Sequence, residues 1–262
     1  MDAVRREPLH HQVTRAIALR ILRGTLTGSG DATTEGELCR EFGVSRTVVR
    51  EAVKVLSAKG LLEVRAKTGI RVRPRADWNL LDPQLLTWQA EVGVDDAFVR
   101  NLCHVRLILE PPTAAAAAIE ATDQEREQIL EAYRKMEEGT DDFVKFSEGD
   151  SIFHQSISRA THNDLLIQVN RIVFDALRVP RSLHRDRHGH EKAVAALDLH
   201  RDVAEAIARR DSLEAHQAMI RLIKRAEKDF YLVLHDAASA KPAAEATPAT
   251  PPPSPAPVST GA

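Results

Sequence analysis

Residues 34–59 read TEGELCREFGVSRTVVREAVKVLSAK, and residues 60–75 continue GLLEVRAKTGIRVRPR. Thr34 followed by Glu37 is a capping box: a hydroxyl at the N-cap and a carboxylate three residues on satisfy each other's backbone donors. It predicts a helix over 35–42. Gly43-Val44 turns the chain, and Ser45 is a good N-cap for a second helix over 46–59. At 100° per residue, Val48, Val49, Ala52, Val53, Val55 and Leu56 share one side of that helix, and Arg46, Thr47, Arg50 and Lys54 share the other. The first side can pack on a domain and fix the helix angle. The second offers long cationic donors near the helix start, able to reach phosphates and the O6/N7 edge of guanine. An ordinary amphipathic surface helix would share this wheel. The capped helix before it and the hairpin after it favour a recognition helix.

The hairpin is LLEVRA and GIRVRP around Lys67-Thr68-Gly69, where Gly69 suits a tight turn. Arg65, Lys67, Arg71, Arg73 and Arg75 place cations on or beside it, as a wing meeting phosphate or a minor groove would need. Residues 1–75 carry 15 Lys/Arg against 8 Asp/Glu, and the remainder carries 21 against 30. A basic segment joined to an acidic one is expected of two domains with different partners.

The rest of the 262-residue chain reads as helix. Hydrophobic residues make up 43% and charged residues 28%, enough apolar material for a sizeable core, while the 4% aromatic content argues against a β-sandwich or barrel. A helix is expected over 8–23. RADWNLLDPQLLTW, with Trp78, Pro83 and Trp88, reads as a linker carrying a short helix. From 95 to 235 a 3.6-residue period dominates, with breaks expected at Glu110-Pro111-Pro112, Glu138-Gly139-Thr140, Thr161-His162-Asn163 and Val179 to Glu191. The fold expected is mainly α. It comprises a winged helix-turn-helix over 1–75, a linker over 76–94, an all-helical bundle over 95–235 and a disordered Pro/Ala-rich tail over 236–262. Cys39 and Cys103 form no CxxC and no disulfide framework. MDAVRREPLHHQ lacks the apolar region of a signal peptide, and no apolar run is long enough to cross a bilayer, so a cytoplasmic protein without a membrane partner is expected.

ELCREFGVSRTVVREAVKVLSAKGLLEV resembles the winged-helix signature of GntR-type regulators. The resemblance implies that Arg46 and Arg50 contact operator DNA, with the wing tip Lys67, Thr68 and Gly69 nearby. Ala32-Thr33-Thr34-Glu35 stands where the family often has Leu-Pro-Ser/Thr-Glu, and Gly36 stands where an arginine is common. The C-terminal part resembles the helical ligand-binding (FCD) domain of the FadR-like branch. The matching residues are Val105 to Pro111, Asp150-Ser151-Ile152-Phe153-His154, His162-Asn163, and His200 with Ala206-Ile207 and Asp211. The linker WNLLDPQLLTW is similar to that of galactonate-type, sugar-acid-responsive repressors.

Asp150 and His154, four apart on one helix, project from one face and can share a metal ion or a ligand. A hydrogen-bonded helix pair is the plainer alternative. The resemblance implies His200 as a third metal ligand and places Leu222 where the family has a fourth, a histidine. One divalent ion, zinc or similar, held by Asp150, His154 and His200 is therefore the expected cofactor. His216 is about 240° round the helix from Leu222 and does not substitute. Arg106 lies in the apolar stretch CHVRLILE. A guanidinium facing the interior needs a carboxylate, either Glu110 one turn on or that of an effector. His184, His188 and His190 in LHRDRHGHE suit a solvated loop better than a metal tract.

These readings lead to a homodimeric regulator, expected to be a repressor, that reads an inverted repeat in double-stranded DNA and is released by a small carboxylate effector at Arg106, Asp150, His154 and His200. A metal-sensing regulator would differ only in what fills the pocket. A metal-dependent enzyme using Asp150, His154 and His200 is the rival from another class. No HExxH, G-x-S-x-G or glycine-rich phosphate loop supports it, so no catalytic residue is assigned.

Overall fold

The computed structural model describes residues 8–26, 32–65, 68–93, 96–181, 191 and 194–240. Helix α1 (Leu9–Leu22) is followed by α2 (Glu35–Phe42), α3 (Arg46–Ala58) and the antiparallel strands β1 (Leu62–Arg65) and β2 (Gly69–Val72). A short 3-10 turn at Arg75–Asp77 leads to α4 (Pro83–Val92). The C-terminal part contains α5 (Asp96–Glu120), α6 (Asp123–Glu138), α7 (Phe143–Arg159), α8 (Asp164–Arg181), α9 (Leu197–Ala208) and α10 (Ser212–Ala240).

The N-terminal unit is the expected winged helix. Thr34 caps α2 with the full reciprocal box to Glu37, Gly43 ends it in the left-handed conformation, and Ser45 caps α3. Val49, Ala52, Val53 and Leu56 of α3 are buried against Val13, Ile17 and Ile21 of α1 and Leu38 of α2. Leu62 pairs with Val72 and Arg65 with Gly69. A third element, not anticipated from the sequence, steadies the wing: Thr33 exchanges both backbone hydrogen bonds with Ile70, at 2.8 and 2.7 Å. That bridge explains Gly69, whose φ is +86° and where a Cβ would sit 2.5 Å from the Thr33 carbonyl oxygen.

Helix α4 is more than a tether. Asp82 caps it and Pro83 occupies its first turn. Leu85 and Trp88 belong to the winged-helix core, whereas Leu86 packs with Phe98, Leu102, Phe174 and Phe230 of the C-terminal part. Adjacent residues on one helix thus enter two cores. Lys59, at the end of α3, donates to Asp82 at 2.8 Å, and Arg15 of α1 pairs with Glu91.

In the C-terminal bundle α5 packs along α10, α6 against α7, and α9 against α6 and α10. The turns near Gly139 and His162 fall where expected. The expected break at Glu110-Pro111-Pro112 does not occur: α5 runs through both prolines to Glu120. Each interior proline removes a donor and costs about 3 kcal/mol. Two features favour continuing the helix. Ala114–Ala118 has the highest helix propensity of any residue type, and Ala114, Ala117 and Ala118 are fully buried in the bundle core. Ile108 and Pro112 lie on the exposed face, where water can take the carbonyl freed by Pro112. The Thr113 hydroxyl donates to the Leu109 carbonyl at 2.6 Å.

At the other end, α10 continues over 236–240, residues read from composition as the start of a disordered tail. The alanine-rich DAASA has high helix propensity and extends α10 by another turn. Residues 241–262 and the histidines at 184, 188 and 190 lie outside the described residues. Among the described residues, no helix is long and apolar enough to cross a membrane.

Candidate nucleic-acid interface and buried polar pocket

Helix α3 presents Arg46, Thr47, Arg50 and Lys54 on its exposed side, opposite its buried valines. Among the described residues Arg46 makes no hydrogen bond or ion pair. Arg50 donates from Nε to Glu35 at 2.9 Å, and Lys54 donates to Glu51 at 2.8 Å. Both pairs of side chains are substantially exposed, so water screens them and they can be exchanged for other anions at little cost. The pairing of Arg50 with Glu35, from the first turn of α2, was not foreseen; the two are 15 residues apart and meet only because the helix-turn-helix closes. Thr68 is exposed and Gly69 makes the turn; Lys67 lies outside the described residues. Of the wing cations, Arg65 pairs with Glu63 at 3.0 Å and Arg73 with Asp77 at 3.1 Å. Arg75 lies over the Trp78 ring at 5.8 Å.

The second site is inside the bundle. Arg106 from α5, Asp150 and His154 from α7, and His200 from α9 line one cavity of about 80 Å³. Leu222 of α10 lines it too, and His216 does not. All four predicted polar residues are buried, and the structure brings them together from three helices. Arg106 takes the plainer of its two expected partners. Its guanidinium donates to both carboxylate oxygens of Glu110, at 2.5 and 3.3 Å, while still facing the cavity.

Glu110 does a second job that the sequence did not disclose. Its Oε2 lies 3.0 Å from His154 Nδ1. Burial alone would push the Glu110 carboxyl up, but Arg106 and His154 more than offset it and lower it to about 2. Burial pulls the His154 imidazole down, and the Glu110 and Asp150 carboxylates outweigh that and raise it.

The hydrogen bonds decide what the cluster can hold. His154 Nδ1 faces a carboxylate and His200 Nδ1 faces the Ala196 carbonyl at 2.9 Å, so each Nδ1 carries a proton. In the neutral rings both Nε2 atoms are then lone pairs. They point at Asp150 Oδ1, at 3.5 Å from His154 and 3.1 Å from His200. Three acceptors facing one another repel unless a cation lies among them, either an added proton or a metal ion. The three ligand atoms lie within 4.8 Å of one another, with each histidine already oriented from behind by an oxygen acceptor. Metal-ligating histidines are held in this way. The donor set, two imidazoles and a carboxylate with room for further ligands, suits a divalent ion such as zinc.

Sequence reasoning missed Glu110 as the support of His154, and it missed two further cavity residues, Ser147 and Asp229. Ser147 shares the α7 face of Asp150 and could have been found by that spacing. Asp229 reads as one more polar residue in an amphipathic helix, and no sequence signal sets it apart.

The model for "Bacterial regulatory proteins, gntR family" matches residues 9–72, and that for the FCD domain matches residues 101–225. The chain is 30% identical over 213 residues to the galactonate operon transcriptional repressor of Escherichia coli (strain K12), covering 81% of this chain and 92% of that protein. It is 30% identical over 223 residues to the HTH-type transcriptional regulator YieP of the same organism, covering 84% and 94%. The HTH-type transcriptional repressor NanR of Salmonella newport (strain SL254) is 26% identical over 215 residues, covering 82% of each chain. Among solved structures, one described as "Lar controls the expression of the Listeria monocytogenes agr system and mediates virulence" superposes with a TM-score of 0.59 at 18% identity. It covers 86% of this chain and 98% of that one, a likeness of fold.

Proposed function

The chain belongs to the GntR family of bacterial transcription regulators, with an FCD domain after its winged helix, and from that premise we propose that it is a repressor released from its operator by a sugar acid. The family consists of regulators, not enzymes, which removes the metal-dependent enzyme as a reading of Asp150, His154 and His200. The observation that carries the effector reading is the meeting of Arg106, Asp150, His154 and His200 in one buried cavity. It gains support from the relative named as a galactonate operon repressor.

In this reading Arg46, Thr47, Arg50 and Lys54 face the major groove, with Lys67, Thr68 and Gly69 at the backbone beside it. Arg50 exchanges Glu35 for DNA. Two copies read an inverted repeat, and the uncovered apolar side chains of Ile108 on α5 and Leu165, Val169 and Ile172 on α8 are the face offered to the second copy.

Asp150, His154 and His200 would hold one divalent metal ion, whose positive charge anchors an effector carboxylate. Leu222 contributes no ligand, so the remaining positions fall to water or effector oxygens. The chain's own residues do the rest. Glu110 and the Ala196 carbonyl fix the two imidazoles. Arg106, neutralised by Glu110 until the effector arrives, supplies a further donor pair.

Release needs an effector that binds one domain arrangement more tightly than the other. Helix α4 is the element through which that preference would reach the DNA-binding unit. Phe174 packs against the His154 ring at 5.2 Å and Phe230 lines the cavity, and both pack with Leu86 of α4. Calorimetric titration with D-galactonate and related sugar acids tests the reading. Saturable binding to the wild type, weakened at least about ten-fold in Asp150→Asn, is expected. No heat from any sugar acid would contradict it.

A further inference from the structure

We propose that Asp229 determines effector specificity by accepting hydrogen bonds from the hydroxyl-bearing part of the ligand and excluding a second carboxylate. The inference rests on reading the cavity as a sugar-acid site. Asp229 lies on α10 and is 4% exposed. It lines the same cavity as Arg106 and the Asp150–His154–His200 cluster, yet belongs to neither arrangement. The three-residue cluster closes without it, and the Arg106 guanidinium is taken by Glu110.

Its own partner is Arg225, one turn earlier, which donates from Nε to Oδ2 at 2.8 Å. Arg225 is 38% exposed at its side chain and is not part of the cavity wall. A buried carboxylate needs such a partner, and this one holds one oxygen from outside the cavity. The group turned toward the ligand is therefore an acceptor.

Leu222 and Asp229 both line the cavity and stand seven residues apart on α10, about 10 Å along the axis and nearly on one face. The cavity thus follows α10 for two turns and has a carboxylate at a different level from Leu222. A carboxylate, which only accepts hydrogen bonds, suits hydroxyl groups and repels an anion brought against it. A polyhydroxy acid with one carboxylate fits this arrangement. The same carbon chain with a carboxylate at each end does not.

Operator release measured by fluorescence anisotropy tests this with two probes, D-galactonate and galactarate, which share a carbon skeleton and differ at one end. In the wild type, galactonate is expected to act at concentrations at least about ten-fold lower than galactarate. In Asp229→Asn, which keeps the shape and removes the charge, the ratio should fall to within about three-fold or invert, with Asp229→Ser as the second variant. The ratio is read within each protein, and thermal unfolding reports whether each variant is folded. A wild-type ratio near one, or a ratio unchanged in two folded variants, overturns the inference and leaves the effector reading standing. A wild type released by neither acid, nor by any other sugar acid, overturns the effector reading and this inference with it.

Discussion

The Nε2 atom of His200 lies 3.1 Å from Oδ1 of Asp150, and the other nitrogen of the same ring is already committed to the Ala196 carbonyl. An acceptor set against an acceptor, in a buried site, is stable only with positive charge between them. With a metal ion rather than a proton supplying that charge, protein purified without chelators should carry close to one divalent metal ion per chain, measured by inductively coupled plasma mass spectrometry. His200→Ala and Asp150→Asn should each lose it. Retention of full metal content in both variants would place the ion elsewhere.

Glu110 stands behind both Arg106 and His154, so its removal should be felt twice. Glu110→Gln leaves the buried Arg106 guanidinium without its hydrogen-bonded carboxylate, a change expected to cost about 3–5 kcal/mol of stability in urea unfolding. It should also weaken metal binding by roughly 10–100-fold, since the imidazole of His154 loses its orienting carboxylate. Wild-type stability in this variant would show that Arg106 finds another partner.

The exposed cations of α3 make the DNA reading testable without disturbing the fold. Arg46→Ala and Arg50→Ala remove side chains that pack against no core, so thermal unfolding should change little. Operator affinity should fall by at least about ten-fold in each. A variant that loses a phosphate contact should also lose roughly one unit from the salt dependence of binding. Gel-shift affinities equal to wild type for both would remove α3 from the interface.

Helix α4 carries the third relationship. Leu86 is 3% exposed and packs on Phe174 and Phe230, while its neighbour Leu85 lies in the winged-helix core. Leu86→Ala should cost about 2–5 kcal/mol in unfolding. In protein that remains folded, effector affinity by calorimetry should stay closer to wild type than the effector concentration needed for operator release. Equal shifts in both measurements would mean that α4 does not couple the two units.

The winged helix was legible because its signals are local. Thr34 and Glu37 cap within four residues, and the valines and arginines of α3 sort themselves on one wheel. The i, i+4 spacing of Asp150 and His154, and of Arg106 and Glu110, was equally readable. The resemblance added His200, which no spacing could have joined to a helix 50 residues away. Pro111-Pro112 misled because local proline chemistry favours a break, while burial of Ala114, Ala117 and Ala118 against the rest of the bundle favours continuity. The Thr33–Ile70 bridge, the Arg50–Glu35 pair and the hold of Glu110 on His154 depend on chain segments far apart in sequence. Residues that meet only after folding leave no periodic trace.

The most direct test of the central claim is an anisotropy titration of the protein onto DNA from immediately upstream of its own gene, repeated with D-galactonate and with a chelator. The account predicts tight, salt-sensitive binding that a sugar acid releases. It also predicts that prior removal of metal blunts the release, because the effector carboxylate loses its anchor at Asp150, His154 and His200. Specific binding that no sugar acid relieves, with or without metal, would contradict it.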